Sequence, residues 1–156
     1  MKILLPVDGS PPSLTAVRHA LALAAQGLRA SFVLANVQEP ASLYEVVVAH
    51  DPDVIAQVRG AAGDDLLQGA CALLDAARAD YESEVAGGDP ATLLVDLVEN
   101  YGCDMVVMGA RGVGQPQGRG IGSVAHSLLL HCPVPVTVVR LPSPEDAPAD
   151  DDITVR

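Results

Sequence analysis

Aromatic residues are scarce in this chain of 156 residues, which holds no Trp, one Phe and three Tyr. Ring-stacking recognition of nucleic acid is therefore poorly supplied, and the core has to be built of Leu, Val and Ala. Lysine is rarer still, with Lys2 the sole example. That excludes the P-loop, whose Gly-x-x-x-x-Gly-Lys-Ser/Thr motif places a lysine on the phosphates. It also excludes a receiver domain, which wants a lysine near its last strand. Cys71, Cys103 and Cys132 are odd in number and widely spaced, so they compose neither a zinc motif nor a disulfide framework. Reduced, buried thiols are expected of them. No apolar run approaches the roughly 18 residues that a membrane-spanning helix needs. Lys2 leads straight into a strand-like run with no room for a signal peptide, so the cytoplasm is the expected compartment. Bases are few, nine against twenty acids, and the net charge of −11 repels nucleic acid and anionic membranes at long range. Neither is expected as a partner, although a local anion site stays open.

What is present is apolar: 49% of residues, enough for one core in one domain of this size. Residues 3–7 form a short continuous apolar run, as in a strand buried on both faces. Ser10 and Pro11 then supply an N-cap and a first helical residue, and Gly27 a stop. Strands are predicted at 31–37, 81–85, 104–108 and 134–141. Helices are predicted from Ser10, from about Asp53 to Asp80, either unbroken or with a break near Gly63 and Asp64 capping a second piece, from Asp89-Pro90 to Gly102, and from Gly122 to His131. Residues 43–49 are open to a short element of their own. This alternation predicts an open parallel sheet with helices on both faces. Residues 143–156 carry five acids, two prolines and little to bury, and are expected to be a disordered acidic tail on a domain of residues 1–142.

In such a sheet, ligands bind beyond the carboxyl ends of the strands at the switch point. The loops after Val7, Val37 and Met108 are expected to converge there. The loop after Met108 runs from Gly109 to Ser123 and holds six glycines before that serine. An ordinary connection needs about 2–6 residues, so a longer one points to function. Its glycines allow close backbone approach and positive φ, and the following helix start offers N–H donors to an anion. From Met105 to Pro144 there is no acid but three arginines, Arg111, Arg119 and Arg140, a +3 segment in a chain whose other residues are strongly acidic. A polyphosphate fits this pattern; a flexible surface loop with arginines for solubility is the bland alternative. Asp8, at the end of the first strand, either meets a ribose or adenine amino group or simply caps a turn. Asp8-Gly9-Ser10 is not a Gly-x-Gly-x-x-Gly turn, so the dinucleotide fingerprint is missing. No general acid–base pair is apparent, Ser123 has no visible base, and the scattered histidines point to no metal site. No catalytic residue and no metal ligand is assigned.

Gly109, Gly112, Gly122 and Ser123 stand as Gly-x-x-Gly, nine residues, Gly-Ser. With the opening Ile-Leu-Leu-Pro-Val-Asp-Gly-Ser of residues 3–10 and the segment 122–136, this pattern resembles the ATP-binding branch of the universal stress protein family. The resemblance covers about residues 1–141. It implies a three-layer, Rossmann-like α/β fold of the adenine-nucleotide α-hydrolase-like kind, with a five-stranded parallel sheet in the order 3-2-1-4-5. It also implies an ATP-binding stress-response module, usually a homodimer, with Mg²⁺ as an open companion of the nucleotide. By position, Pro6, Val7 and Asp8 would line the adenine and ribose side, and Val37 would meet adenine through its backbone. Met108, Gly109, Arg111 and Gly112 would approach ribose and phosphates, and Gly122, Ser123 and Val124 would hold the phosphates. The alternative is a slow ATPase or another nucleotide-dependent enzyme of the same fold group. Asn36, where the family commonly has His, and Ala125, where a small hydroxyl residue is frequent, depart from the pattern. The expected dimer contact is the apolar edge strand, residues 136–141.

Overall fold

The computed structural model describes residues 1–39, 51–112 and 120–142. Five strands, β1 (Lys2–Pro6), β2 (Ser31–Gln38), β3 (Tyr81–Gly87), β4 (Met105–Gly109) and β5 (Val136–Val139), alternate with four helices, α1 (Pro11–Ala25), α2 (Pro52–Ala76), α3 (Pro90–Tyr101) and α4 (Ser123–His131). All neighbouring strands pair in parallel, in the order β3-β2-β1-β4-β5. The chain therefore winds outward from β1 to β3, crosses back, and continues through β4 to β5. The switch point lies between β1 and β4.

The continuous apolar strands divide their side chains between two layers, as expected for a sheet covered on both faces. Ile3, Leu5, Phe32 and Leu34 pack with α1 and α2 residues such as Val17, Leu67 and Leu74. Leu4, Val33, Ala35, Val106 and Met108 pack on the other face with Leu94, Leu97 and Leu128 of α3 and α4. Each fully buried leucine of this kind contributes about 1.5–3 kcal/mol by leaving water.

Helix starts follow local chemistry. The Ser10 hydroxyl, the Asp51 carboxylate and the Asp89 carboxylate cap α1, α2 and α3, each followed by proline in the first turn. The Thr92 hydroxyl and N–H hold the Asp89 carboxyl below its ordinary pKa. Gly102 closes α3 in the left-handed conformation.

Of the two readings of helix α2, the unbroken one holds: it does not break near Gly63 but runs from Pro52 to Ala76. Gly63 is where the helix packs down on the sheet: a Cβ there would lie 2.4 Å from Val85 Cγ1. The last strand is shorter than predicted, Val136–Val139 instead of 134–141, with Pro135 outside it. The expected short element at 43–49 and the expected tail at 143–156 lie outside the described residues. Among the described residues no helix is long and apolar enough to cross a membrane. Cys103 is buried, and Cys71 and Cys132 are half-buried free thiols.

Candidate functional site at the switch point

A cleft of about 340 Å³ opens beyond the carboxyl ends of β1, β2 and β4. That volume is in the range of small-ligand sites. All eleven residues named from the sequence line it: Pro6, Val7 and Asp8 from the end of β1, Val37 from β2, Met108, Gly109, Arg111 and Gly112 from the end of β4, and Gly122, Ser123 and Val124 from the start of α4. Seven further residues complete the lining: Ser13, Ala35, Glu39, Pro90, Leu94, Ala110 and Ala125. Ala35 and Glu39 share the strand face of Val37 and were readable by period-two alternation. Ser13, Pro90 and Leu94 come from α1 and α3, and no local pattern announces them.

The two readings of Asp8 both apply. Its Oδ1 accepts from the Ser10 N–H at 2.9 Å and from the Ser10 hydroxyl. It thus shapes the turn that starts α1, while the residue still faces the cleft. Gly9 makes that turn at φ +80°, where a side chain would be strained and would also strike Leu66.

The described glycines at the two ends of the β4–α4 connection, Gly109, Gly112 and Gly122, work differently from the expectation. Among the described residues, positive φ occurs at Gly9, Gly27, Gly88, Gly102 and Arg78, and at none of Gly109, Gly112 or Gly122. Gly122 sits at φ −62°, ψ 160°, which any residue can adopt. These glycines matter for what a Cβ would meet. At Gly109 it would lie 2.8 Å from the Pro12 carbonyl carbon, at Gly112 2.6 Å from Asp8 Oδ2, and at Gly122 3.2 Å from the Ala110 oxygen. The backbone of one cleft wall passes directly against its neighbours.

Helix α4 starts with a glycine cap and so has no side-chain cap. The Gly122 N–H is itself used, donating to Ala110 O at 2.7 Å. It is therefore not among the donors that the helix start offers. The first intrahelical bond runs from the His126 N–H to Gly122 O, 2.9 Å. The N–H groups of Ser123, Val124 and Ala125 precede it and point out of the helix start. Arg111 lines the cleft and donates through Nε to Gly120 O at 2.8 Å. That bond joins the two ends of the glycine-rich loop at its base. Residues 113–119 of the loop, including Arg119, lie outside the described residues.

Asp8 and Glu39 bring acidic groups to the cleft and Arg111 a basic one, and Asp8 Oδ2 lies against Gly112, the residue after Arg111. An anion is favoured at the α4 end by the helix dipole and the guanidinium.

The sequence profile of the universal stress protein family matches residues 1–140. The chain belongs to the universal stress protein family. Universal stress protein MJ0531 of Methanocaldococcus jannaschii is 26% identical over 144 residues, covering 92% of this chain and 84% of that one. The fold of this universal stress protein is also that of hypothetical protein MJ0577, with a TM-score of 0.76, 22% identity, and 91% and 96% of the two chains covered. A universal stress protein solved in complex with cAMP superposes with a TM-score of 0.67 at 27% identity, over 89% and 96% of the two chains. The Arabidopsis thaliana family member At3g01520, solved with AMP bound, matches at a TM-score of 0.65 and 19% identity, over 96% and 97%.

Proposed function

We propose that this universal stress protein binds ATP in the switch-point cleft and acts as a nucleotide-dependent stress-response module in the cytoplasm. The observation that carries the reading is the outward N–H row of Ser123, Val124 and Ala125. These three residues line the same cleft as Val37 and Asp8. Gly122 adds no side chain beside those donors, so a phosphate can lie against backbone there, while the Asp8 carboxylate already lies against Gly112. The relatives solved with cAMP and AMP support an adenine nucleotide; the +3 segment around the loop supports a polyphosphate over a monophosphate. Mg²⁺ would arrive with the nucleotide and would supply positive charge to its phosphates.

Turnover is slow or nil in this reading. The lining side chains at the α4 end are Arg111, Ser123 and Val124, none of which is a base. Isothermal titration tests the binding. ATP should give saturable heat and bind more tightly than AMP or cAMP. No heat and no thermal shift at about millimolar ATP would refute the proposal.

The protein is further proposed to pair with a second copy of itself along β5. The sheet has two edges, and they differ. Edge strand β3 carries Glu82 and Glu84, which repel a like strand, whereas β5 is Val-Thr-Val-Val.

A further inference from the structure

Asn36 is buried, with 3% of its surface exposed, yet its Oδ1 has no hydrogen-bond partner. That oxygen abuts α2, 3.1 Å from where a Cβ on Gly63 would sit. A buried side chain that leaves one polar atom unpaired is costly to keep, so its other atom calls for explanation. Asn36 Nδ2 donates to the carbonyl of Val7 at 2.9 Å, across 29 positions of sequence.

The Val7 carbonyl is the next rung of the β1–β2 ladder. The paired register ends at Pro6↔Ala35, and the Val7 N–H still donates to Ala35 O at 2.8 Å. Successive residues of a strand between two neighbours turn their N–H and C=O to alternate sides. Ala35 faces β1. Gln38 O accepts from the Gly88 N–H at 2.8 Å and so faces β3. Val37 therefore faces the β1 side, and in a continued ladder its N–H would meet Val7 O. Among the described residues that bond is absent, and the carbonyl accepts from the Asn36 side chain instead.

We propose that Asn36 is a positioning residue of the cleft: by taking the Val7 carbonyl, it stops β2 from zipping onto the chain beyond β1 and leaves the Val37 main chain open to a ligand. The structural half stands alone, while its ligand half rests on the ATP reading. The Val37 N–H and C=O form a donor–acceptor pair at the β2 end of the cleft. Such a pair suits a ring that carries an acceptor nitrogen beside an amino group. Removing the Asn36 donor frees the Val7 carbonyl, and the Val37 N–H becomes its natural partner.

The test is amide hydrogen exchange by NMR on the full chain, comparing the parent with Asn36→Leu and Asn36→Ala, beside an ATP titration. In the parent, without nucleotide, the Val37 amide should exchange about tenfold or more faster than that of Ala35. In each variant it should slow by about tenfold as the rung closes. A purely structural role predicts the opposite, since general loosening speeds exchange. ATP affinity should fall by about three- to tenfold as the Val37 N–H is taken from the ligand. Melting curves establish that each variant folds, and the Ala variant decides if the Leu variant does not. A parent Val37 amide as protected as that of Ala35, or unchanged exchange in a folded variant, overturns the proposal. So does unchanged ATP affinity in variants of a parent that binds it. A parent that binds no ATP instead refutes the nucleotide reading, and the exchange result still decides the role of Asn36.

Discussion

A series of single methyl additions along the glycine wall tests whether contact geometry, not backbone torsion, makes these positions glycine. In Gly112→Ala the new carbon lies 2.6 Å from Asp8 Oδ2, about 1 Å inside ordinary contact. The carboxylate can retreat only by disturbing the two Ser10 donors on its other oxygen. Hydrogen bonds to a charged group contribute about 1.5–3 kcal/mol, and a loss of that order is expected. In Gly109→Ala the new carbon meets the Pro12 backbone, 2.8 Å from its carbonyl carbon and 3.0 Å from its oxygen. No side chain can rotate away there, so the cost falls at the upper end of the overpacking range, about 3 kcal/mol. In Gly122→Ala the nearest atom is 3.2 Å away. The torsions suit alanine, so the usual gain of about 0.4–1 kcal/mol offsets the squeeze and leaves stability nearly unchanged. Urea unfolding reads the order directly. The midpoint should be lowest for Gly109→Ala, intermediate for Gly112→Ala and near the parent for Gly122→Ala, with shifts of about 1–2 M at most. A Gly122→Ala protein as unstable as Gly109→Ala would refute the reasoning, because it would restore a torsional demand that the φ of −62° denies.

Gly122→Val should fold and fail to bind ATP, since its γ-carbons enter the cleft beside the Ser123 N–H; titration heats equal to the parent would place the phosphates elsewhere. Ser123→Ala should weaken ATP by only about 0.5–1.5 kcal/mol, because the backbone donors stay, and a complete loss in titration would contradict that. The Tyr101 hydroxyl donates to Glu84 Oε2 at 2.6 Å, and this bond, then burial, pushes the phenol up to about 12 from 10.0. Its contribution is therefore whole below the ordinary value and is lost as pH rises through about 12, so Tyr101→Phe should flatten that alkaline loss in urea midpoints. By strand alternation from Val139 O, which accepts from the Ala110 N–H, the Val138 N–H faces away from β4. Val138→Pro should thus keep the sheet and turn a dimer into a monomer in light scattering, and a surviving dimer would reject this edge.

The local elements were legible because their causes are local. Ser10-Pro11, Asp89-Pro90 and Gly102 mark helix ends through caps and torsions that need no distant partner. The continuous apolar runs at Ile3 and Met105 mark strands covered on both faces. The acid-free glycine loop marked one wall of a cleft, since charge and missing side chains are written in the sequence itself. Other features were decided only by packing. Gly63 reads as a helix breaker, and a helix propensity cost of about 1 kcal/mol is real. The contact with Val85 outweighs it, because only a glycine lets α2 lie that close to β3. The loop glycines read as sources of positive φ, but their partners, Pro12, Asp8 and Ala110, are brought there by the crossing of β4 past the start of α1. Gly122 reads as a phosphate donor, yet its N–H is spent on Ala110. Asn36 reads from the sequence only as a polar strand residue standing where the family commonly has His. Its meaning depends on a carbonyl 29 residues away and on the exact rung where β1 leaves β2, which no spacing in the sequence encodes.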